Sequence, residues 1–460
     1  MQPMTTMHRP VDRAARPSAT TLRRVATGTP QAPRRSAPRV AVQLPAVGLR
    51  IFEHIRQPAA APDWVLIGAV IVLSFIGLVF VFSSSFAISL ELHSDTRYFA
   101  TRQLIGAAIG LAVFIICSRI NYTFWRRLSP LIMGAAILLL LAVLVPGIGS
   151  EQNGATRWIQ FGSLPAFQPS EFAKLAICVY VASWLVAKGE DIKRVPLGLF
   201  PFSIIIAIVG FLLMAEPDLG TFVTIAAIGV IMFFLAGAAM RHMAVLLLGG
   251  SAALFGIIVV VGYGIDRFRA FFNAEEMAQD AGFQIINLVS TLGSGGLTGV
   301  GLGASRQKFF YVPSAHTDGV FAIIGEETGL LGAMIVLSIF CLLIYRGIRA
   351  GMRAQDRFGT LLAFGIVSWF AVQAFFNVAG VTRTIVLTGI PLPFISFGSS
   401  ALIASLAAAG ILVNISRHAQ GSQPVQEPGD ATLPRRDAAP GRPAPPRRTD
   451  PLHSGRGDGY

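Results

Sequence analysis

Charge is the scarcest property of this sequence. Of its 460 residues only 13% are Asp, Glu, Lys or Arg, against 53% hydrophobic, and mean hydropathy is +0.63. A soluble domain carries about 25% charged residues. A soluble enzyme is therefore excluded, and the chain is one solvated mainly by lipid. Acids are the rarer sign, 24 against 37 Lys and Arg, leaving a net charge of +13. Residues 1–63 hold ten Arg against three acids, and 415–460 hold seven against five. The basic excess thus sits mostly in the tails rather than on a folded face, and nucleic-acid binding is not expected. Cysteine is also sparse: Cys117, Cys178 and Cys341 stand singly in apolar runs, which excludes a disulfide framework or a zinc site and leaves packing as their use. No early apolar run marks a cleavable secretory signal, so the first spanning helix is expected to direct targeting.

What is abundant is apolar sequence in lengths that cross a bilayer, about 17 to 25 residues each. Ten such stretches fall near 64–84, 101–118, 128–146, 172–187, 197–215, 219–239, 242–263, 320–345, 358–380 and 390–414. With the N-terminus inside, the even-numbered connections carry Arg119, Arg126, Arg127, Lys188, Lys193, Arg194, Arg241, Arg346, Arg349, Arg353 and Arg357. Apart from the seventh, the odd connections are poor in Lys and Arg, as cytoplasmic loops are not. The expected fold is an all-α polytopic membrane protein with ten transmembrane helices and both termini cytoplasmic. It divides into a tail over 1–63, a membrane domain over 64–417 and a second tail over 418–460. Both tails are Pro- and Arg-rich with little to bury, which predicts disorder beside an anionic leaflet or a docking segment for cytoplasmic partners.

The seventh connection, 264–319, is the longest and lies outside, where a site is to be sought. Its stretch from Gly293 to Gly303 has six glycines. No Lys-Ser/Thr pair completes a phosphate loop there, so a tightly folded loop between helices is favoured over nucleotide binding, with contact to a substrate phosphate or sugar as the other reading. Asp318 ends Pro313-Ser314-Ala315-His316-Thr317-Asp318, just before an apolar helix. At the membrane boundary its carboxylate is either a helix cap or a desolvated general base. Glu326 and Glu327 lie two turns further on, Glu326 nearer Asp318's face, and should meet a buried cation, a partner or a cavity.

Glu171 and Lys174, in Gln168-Pro169-Ser170-Glu171-Phe172-Ala173-Lys174, share a helix face. They read either as a cap with a snorkelling lysine or as an acid and a cation at a cavity mouth. Glu216-Pro217-Asp218 is a tight turn. The segment from Gly389 to Ser400, with two prolines and three serines, suits close helix packing or a broken helix start at a cavity.

The order of these motifs along ten spans resembles the shape, elongation, division and sporulation family, the membrane peptidoglycan polymerases typified by FtsW and RodA. The resemblance runs from about residue 64 to 417 and rests on NGATRWIQFG with QPSEFAKLA, EPDLGT, GSGGLTGVGLGASRQKFFYVPSAHTD with IIGEETGLLG, and GIPLPFISFGSSALIASLAAAGILVNISR. It lies closer to the FtsW division branch than to the elongation branch. Four positions depart from the family pattern, Gly319, Glu216, Ser399 and Asn287, and Gly319 bears on the packing around Asp318.

The resemblance implies that the chain polymerises lipid II in the bacterial plasma membrane, at the septum, beside a class B penicillin-binding protein and other divisome proteins. A lipid II transporter and a non-catalytic scaffold are the rival readings. Carried over, Asp318 is the catalytic base, and Glu171 and Lys174 line the cavity. Arg157, Arg306 and Lys308 join Lys174 as cations for the departing diphosphate, and His316 and Ser396 complete the substrate-binding set. A divalent cation, magnesium or manganese, is the candidate cofactor, with no ligands assigned.

Overall fold

The computed structural model describes residues 61–420, apart from 153–154, 161, 163–164, 263, 278, 280 and 310. Except for their innermost positions, both expected tails lie outside the described residues. The chain enters through Asp63, whose carboxylate accepts the Val65 and Leu66 amides and caps α1, Trp64–His93. Two helices follow, α2 over Tyr98–Arg119 and α3 over Tyr122–Val143. An antiparallel hairpin, β1 over Gly149–Gln152 and β2 over Ala155–Ile159, leads to α4, Pro169–Lys188. Then come α5 (Phe200–Ala215), α6 (Leu219–Leu235), α7 (Met240–Gly256), the short α8 (Ile265–Phe272) and α9 (Ala281–Ser294). The last three are α10 (Val320–Met352), α11 (Arg357–Val381) and α12 (Ser399–Gln420).

Among the described residues nine helices are long and apolar enough to cross a membrane. The 17-residue α6 falls just below that length. Its contacts nevertheless carry it between the two ends of the bundle. At its start Asp218 accepts from Ser170 of α4, while beyond its end the Ala236 carbonyl accepts from Arg357 at the head of α11. Ten helices thus alternate in direction. Asp63, Arg346 and Ser416 meet at one end, where Arg346 pairs with Asp63 at 2.6 Å. The long connection closes the other.

Burial is graded across the bundle. The hydrophobic windows of α12, α11 and α4 are 89%, 67% and 61% buried, whereas that of α7 is only 11%. The first three form the core, and the outward faces of the rest, with Phe75, Phe211 and Leu248 exposed, are apolar as a lipid-facing surface must be. Gly106 and Gly110 of α2 sit directly against Ser399, Ile403 and Leu406 of α12, the small-residue contact by which helices pack closely where no hydrophobic effect drives them together.

Three expectations need correction. The tenth span begins at Ser399 rather than near 390, because Pro391 and Pro393 lack amide donors and Phe394 takes a left-handed φ of 65°. The connection 264–319 is not simply a loop but contains α8 and α9. Finally, α10 is broken at Gly329, with φ 69° and ψ −170°.

That break explains the glycine-rich stretch. Interrupting α10 frees backbone groups that must find partners in a dry interior. Val300 and Gly301 donate to the Glu326 and Glu327 carbonyls at 3.0 Å, while Leu330 and Leu331 donate to the carbonyls of Gly296 and Leu297 at 2.9 and 3.1 Å. A β-carbon at Gly295, Gly299 or Gly329 would collide with the opposing backbone. The stretch is therefore the tightly folded insertion expected of it. The two acids serve this insertion. Glu326 accepts from Ser305 and from the Arg306 amide, and Glu327 accepts from Ser83 at 2.6 Å and pairs with Lys308 at 3.3 Å. Glu326 does not reach towards Asp318, because its partners come from the inserted loop.

Candidate functional site

At the end of the bundle closed by the long connection, α4 begins with Pro169 in its first turn and Glu171 beside its positive pole, the preferred places for both residue types. Three residues on, Lys174 is 1% exposed. Its ammonium donates to Glu171 Oε1 at 2.8 Å and Gln373 Oε1 at 3.1 Å, and it lies 5.3 Å from the Trp369 ring centre. Burying this charge is tolerable because it is paired and hydrogen-bonded. Glu171 Oε2 is buried without a hydrogen-bond partner.

The link to Asp318 runs along one face of α11. Gln373 donates to the Pro391 carbonyl at 2.8 Å. One turn later Asn377 donates to the carbonyls of Ile390 and Asp318, at 2.8 and 2.9 Å. Spacing of i,i+4 puts both amides on the same side of the helix. The non-helical segment 389–398 is thereby held between Lys174 and Asp318, irregular backbone at membrane depth satisfied by protein groups. Ser396 belongs to this segment: its hydroxyl accepts the Leu392 amide at 2.7 Å and its carbonyl accepts from Gln103 of α2.

Asp318 is 8% exposed. Its Oδ1 accepts from the Thr317 hydroxyl at 3.1 Å and its Oδ2 from Gln284 of α9 at 3.3 Å. Burial holds its carboxyl above the usual carboxylate range, opposed by the Thr317 hydrogen bond, the Arg267 charge and Gln284. A raised carboxylate that still has hydrogen-bond donors is suited to accept a proton near neutral pH. Its neighbour His316 packs against Phe99 and Phe397, with ring centres 4.7 and 5.5 Å away, and burial pushes its pKa down to about 4. It is a neutral aromatic prop whose carbonyl receives the Phe397 amide. Gly319 is crowded, since a β-carbon there would lie 3.2 Å from Leu288 and Val312. The turn carrying Asp318 therefore uses the departure from the family pattern for close packing.

The remaining cations are placed differently. Arg157, on β2, donates to the carbonyls of Glu216 and Pro217 and lies 4.0 Å from Asp218, steadying the turn before α6. Lys308 is buried among Gly303, Ser83 and Glu327, so the structure ties it to the inserted loop. The Arg306 amide is used by Glu326 while the residue is exposed. Glu216 is fully buried with neither carboxylate oxygen hydrogen-bonded. Burial and the Asp218 charge, partly offset by Arg157, push its pKa up to about 8.

Sequence reasoning did not single out Gln373 and Asn377, although two amides four apart within an apolar span were a usable signal. Arg267 and Gln284 carried no such marker, since polar residues are unexceptional in an outside connection.

A multi-pass membrane protein that buries Asp318, Glu171, Lys174 and Glu216 at one end of its bundle has the outline of an enzyme acting on a substrate anchored in lipid. The family model for FtsW, RodA and SpoVE, described as "Cell cycle protein", matches residues 63–421, and the chain belongs to that family. It is 40% identical over 372 residues to a probable peptidoglycan glycosyltransferase FtsW of Trichlorobacter lovleyi, covering 80% of this chain and 96% of the relative. It is 39% identical over 360 residues to stage V sporulation protein E of Bacillus subtilis, covering 78% and 98%. Among solved structures, a chain of a peptidoglycan synthase complex that coordinates polymerization and crosslinking aligns with a TM-score of 0.65 at 25% identity, covering 79% of this chain and 99% of that one. The rod shape determining protein RodA of Thermus thermophilus aligns at 0.59 and 27% identity, with the same coverage. The relatives named FtsW bear out the expected branch of the family.

Proposed function

We propose that this protein is a peptidoglycan glycosyltransferase that polymerises lipid II at the outer face of the plasma membrane. The observation that carries this reading is the desolvated Asp318 carboxylate, joined through Asn377, Gln373 and segment 389–398 to the Lys174–Glu171 pair. Asp318 takes the proton of the acceptor sugar's 4-hydroxyl. The oxygen attacks the donor's anomeric carbon, and the bond to the polyprenyl diphosphate breaks with inversion. A single displacement needs one base and no second carboxylate nucleophile. Positive charge must meet the departing diphosphate, and the prenyl chain stays in the bilayer throughout.

A magnesium or manganese ion, if used, would be held mainly by that diphosphate and would supply charge neutralisation there. Among the described residues no three His, Cys, Asp or Glu side chains are grouped to hold a metal, and Mg²⁺ ordinarily takes one or two carboxylates plus substrate phosphates. The solved synthase complex that this fold resembles couples polymerization to crosslinking, which supports a cross-linking penicillin-binding protein as partner; the FtsW relatives and the cell-cycle family favour the division septum as the place of work. The test is polymerisation of lipid II by purified protein with and without that partner. Wild type should yield a glycan ladder and Asp318→Asn none at equal abundance. A ladder from Asp318→Asn, or lipid II flipping without polymerisation, would overturn the proposal.

A further inference from the structure

Of the cations weighed from the sequence, Lys174, Arg157 and Lys308 are engaged by protein groups, and Arg306 is exposed above the inserted loop. The cation that faces Asp318 is a different one. Arg267 lies in α8, and α8 is clamped to the segment following α11 from both sides. Arg267 Nη1 donates to the Thr388 carbonyl at 3.2 Å, and Arg383 donates to the Phe271 carbonyl at 3.0 Å. The clamp sets the guanidinium over Gly389, whose φ of +69° disfavours any side chain. A β-carbon built there would lie 3.5 and 3.8 Å from the two terminal nitrogens of Arg267 and 3.7 Å from Asp318 Oδ2. The guanidinium and the carboxylate therefore border one small space that glycine leaves open, and among the described residues no ion pair closes it.

This arrangement matches the charges of the proposed reaction. The attacking hydroxyl is neutral and needs only a base. The negative charge develops on the departing phosphate oxygen, where a planar guanidinium fork is the best fixed partner. Among the described residues one of Arg267's donors is committed, to Thr388, and the residue is exposed to the outer face. The groups around the carboxylate are Thr317 and Gln284 as neutral donors, Asn377 on its own carbonyl, and Arg267 as the charged one.

We propose that Arg267 is a catalytic residue of the glycosyl transfer, receiving the diphosphate oxygens of the departing polyprenyl carrier across the Gly389 space from Asp318. As the bond between the anomeric carbon and the phosphate oxygen breaks, its electron pair goes to the diphosphate facing Arg267. The acceptor hydroxyl's proton goes to Asp318 as the new glycosidic bond forms. Gly389 leaves the space between base and cation free of a side chain, open to the substrate.

The proposal rests on the polymerase reading, and one set of assays separates the two. Full-length protein is assayed for lipid II polymerisation over a pH series as wild type, Arg267→Ala, Arg267→Lys, Gly389→Ala and Asp318→Asn, with thermal midpoints for each. Arg267→Ala should lower turnover about 10²- to 10³-fold with a much smaller change in KM, the loss typical of removing one oxyanion donor. The acid limb of its pH profile should move upwards, because the carboxylate loses the positive charge of Arg267 that opposes its raised pKa, and added guanidinium ion should restore part of the rate. Arg267→Lys should keep the acid limb but recover only part of the turnover, and carries the test if the alanine variant does not fold. Gly389→Ala should lower turnover because its methyl group occupies the gap. Wild-type turnover in Arg267→Ala, or a loss with an unmoved acid limb and no guanidinium rescue, overturns the role of Arg267 while leaving Asp318 in place. An active Asp318→Asn, or a wild type that makes no glycan, overturns the polymerase reading and this inference with it.

Discussion

Lys174 and Glu216 show opposite ways of keeping an ionisable group away from water. Lys174 is buried with its amine paired to Glu171, hydrogen-bonded to Gln373 and set near the face of Trp369. Removing one member of such a pair strands the other, so Lys174→Met should lower stability by about 3 to 5 kcal/mol, with part regained in the double variant with Glu171→Gln. Thermal unfolding in detergent reads both. Glu216 has no hydrogen-bonding partner for its carboxylate oxygens and is held neutral, with a pKa of about 8 against 4.5 for a free glutamate. The folded chain therefore binds a proton across that window which the unfolded chain has released, and stability falls as pH rises from about 4.5 to 8, by up to about 1.4 kcal/mol per unit. Glu216→Gln keeps the shape without the proton. It should flatten that dependence and unfold at higher temperature than wild type at pH 8; an unchanged slope would refute the assignment.

The broken α10 and the segment before α12 are where helices give way to irregular backbone, and both lead to Asp318. Gly329 lets the loop 295–301 enter α10, and the acids beside the break hold Ser305 and Lys308, ten to thirteen residues before Asp318. Gly329→Ala places a methyl group against Gly299 and Leu297 in a left-handed conformation. It should cost more than 2 kcal/mol, roughly the sum of a strained backbone and a lost pair of hydrogen bonds, and lower polymerisation. Gly249→Ala in α7, where nothing lies within 4 Å, should change stability by less than about 1 kcal/mol. Comparing the two thermal midpoints checks whether the insertion or mere glycine content matters.

Among the described residues, Arg346 and Arg417 mark the basic end where Asp63 and Ser416 meet, while the acids with raised pKa values lie at the other. If the basic end is cytoplasmic, a cysteine introduced by Glu276→Cys should react with a membrane-impermeant thiol reagent in intact cells and one introduced by Arg353→Cys should not. The background is Cys341→Ser, since Cys341 is the exposed member of the three native cysteines. Labelling of residue 353 from outside would reverse the topology.

Much of this was legible in the linear chain because it follows from counts along it. Apolar length measures bilayer thickness, so eight of the nine long spans and the shorter α6 emerged close to their observed positions, while the last begins nine residues late, after Pro391 and Pro393. Pro169 with Glu171 mark a helix start by local geometry. The site was legible only as candidates. Whether Lys308 reaches a substrate or closes on Glu327, and whether Glu326 serves Asp318 or the inserted loop, depends on which segments meet across the fold. The same holds for Arg267, which became the cation opposite Asp318 only when α8 folded over Gly389. Spans are set by contacts with lipid that each segment makes alone. The charges at the site are set by pairings between residues tens to hundreds of positions apart, which spacing in the chain does not encode.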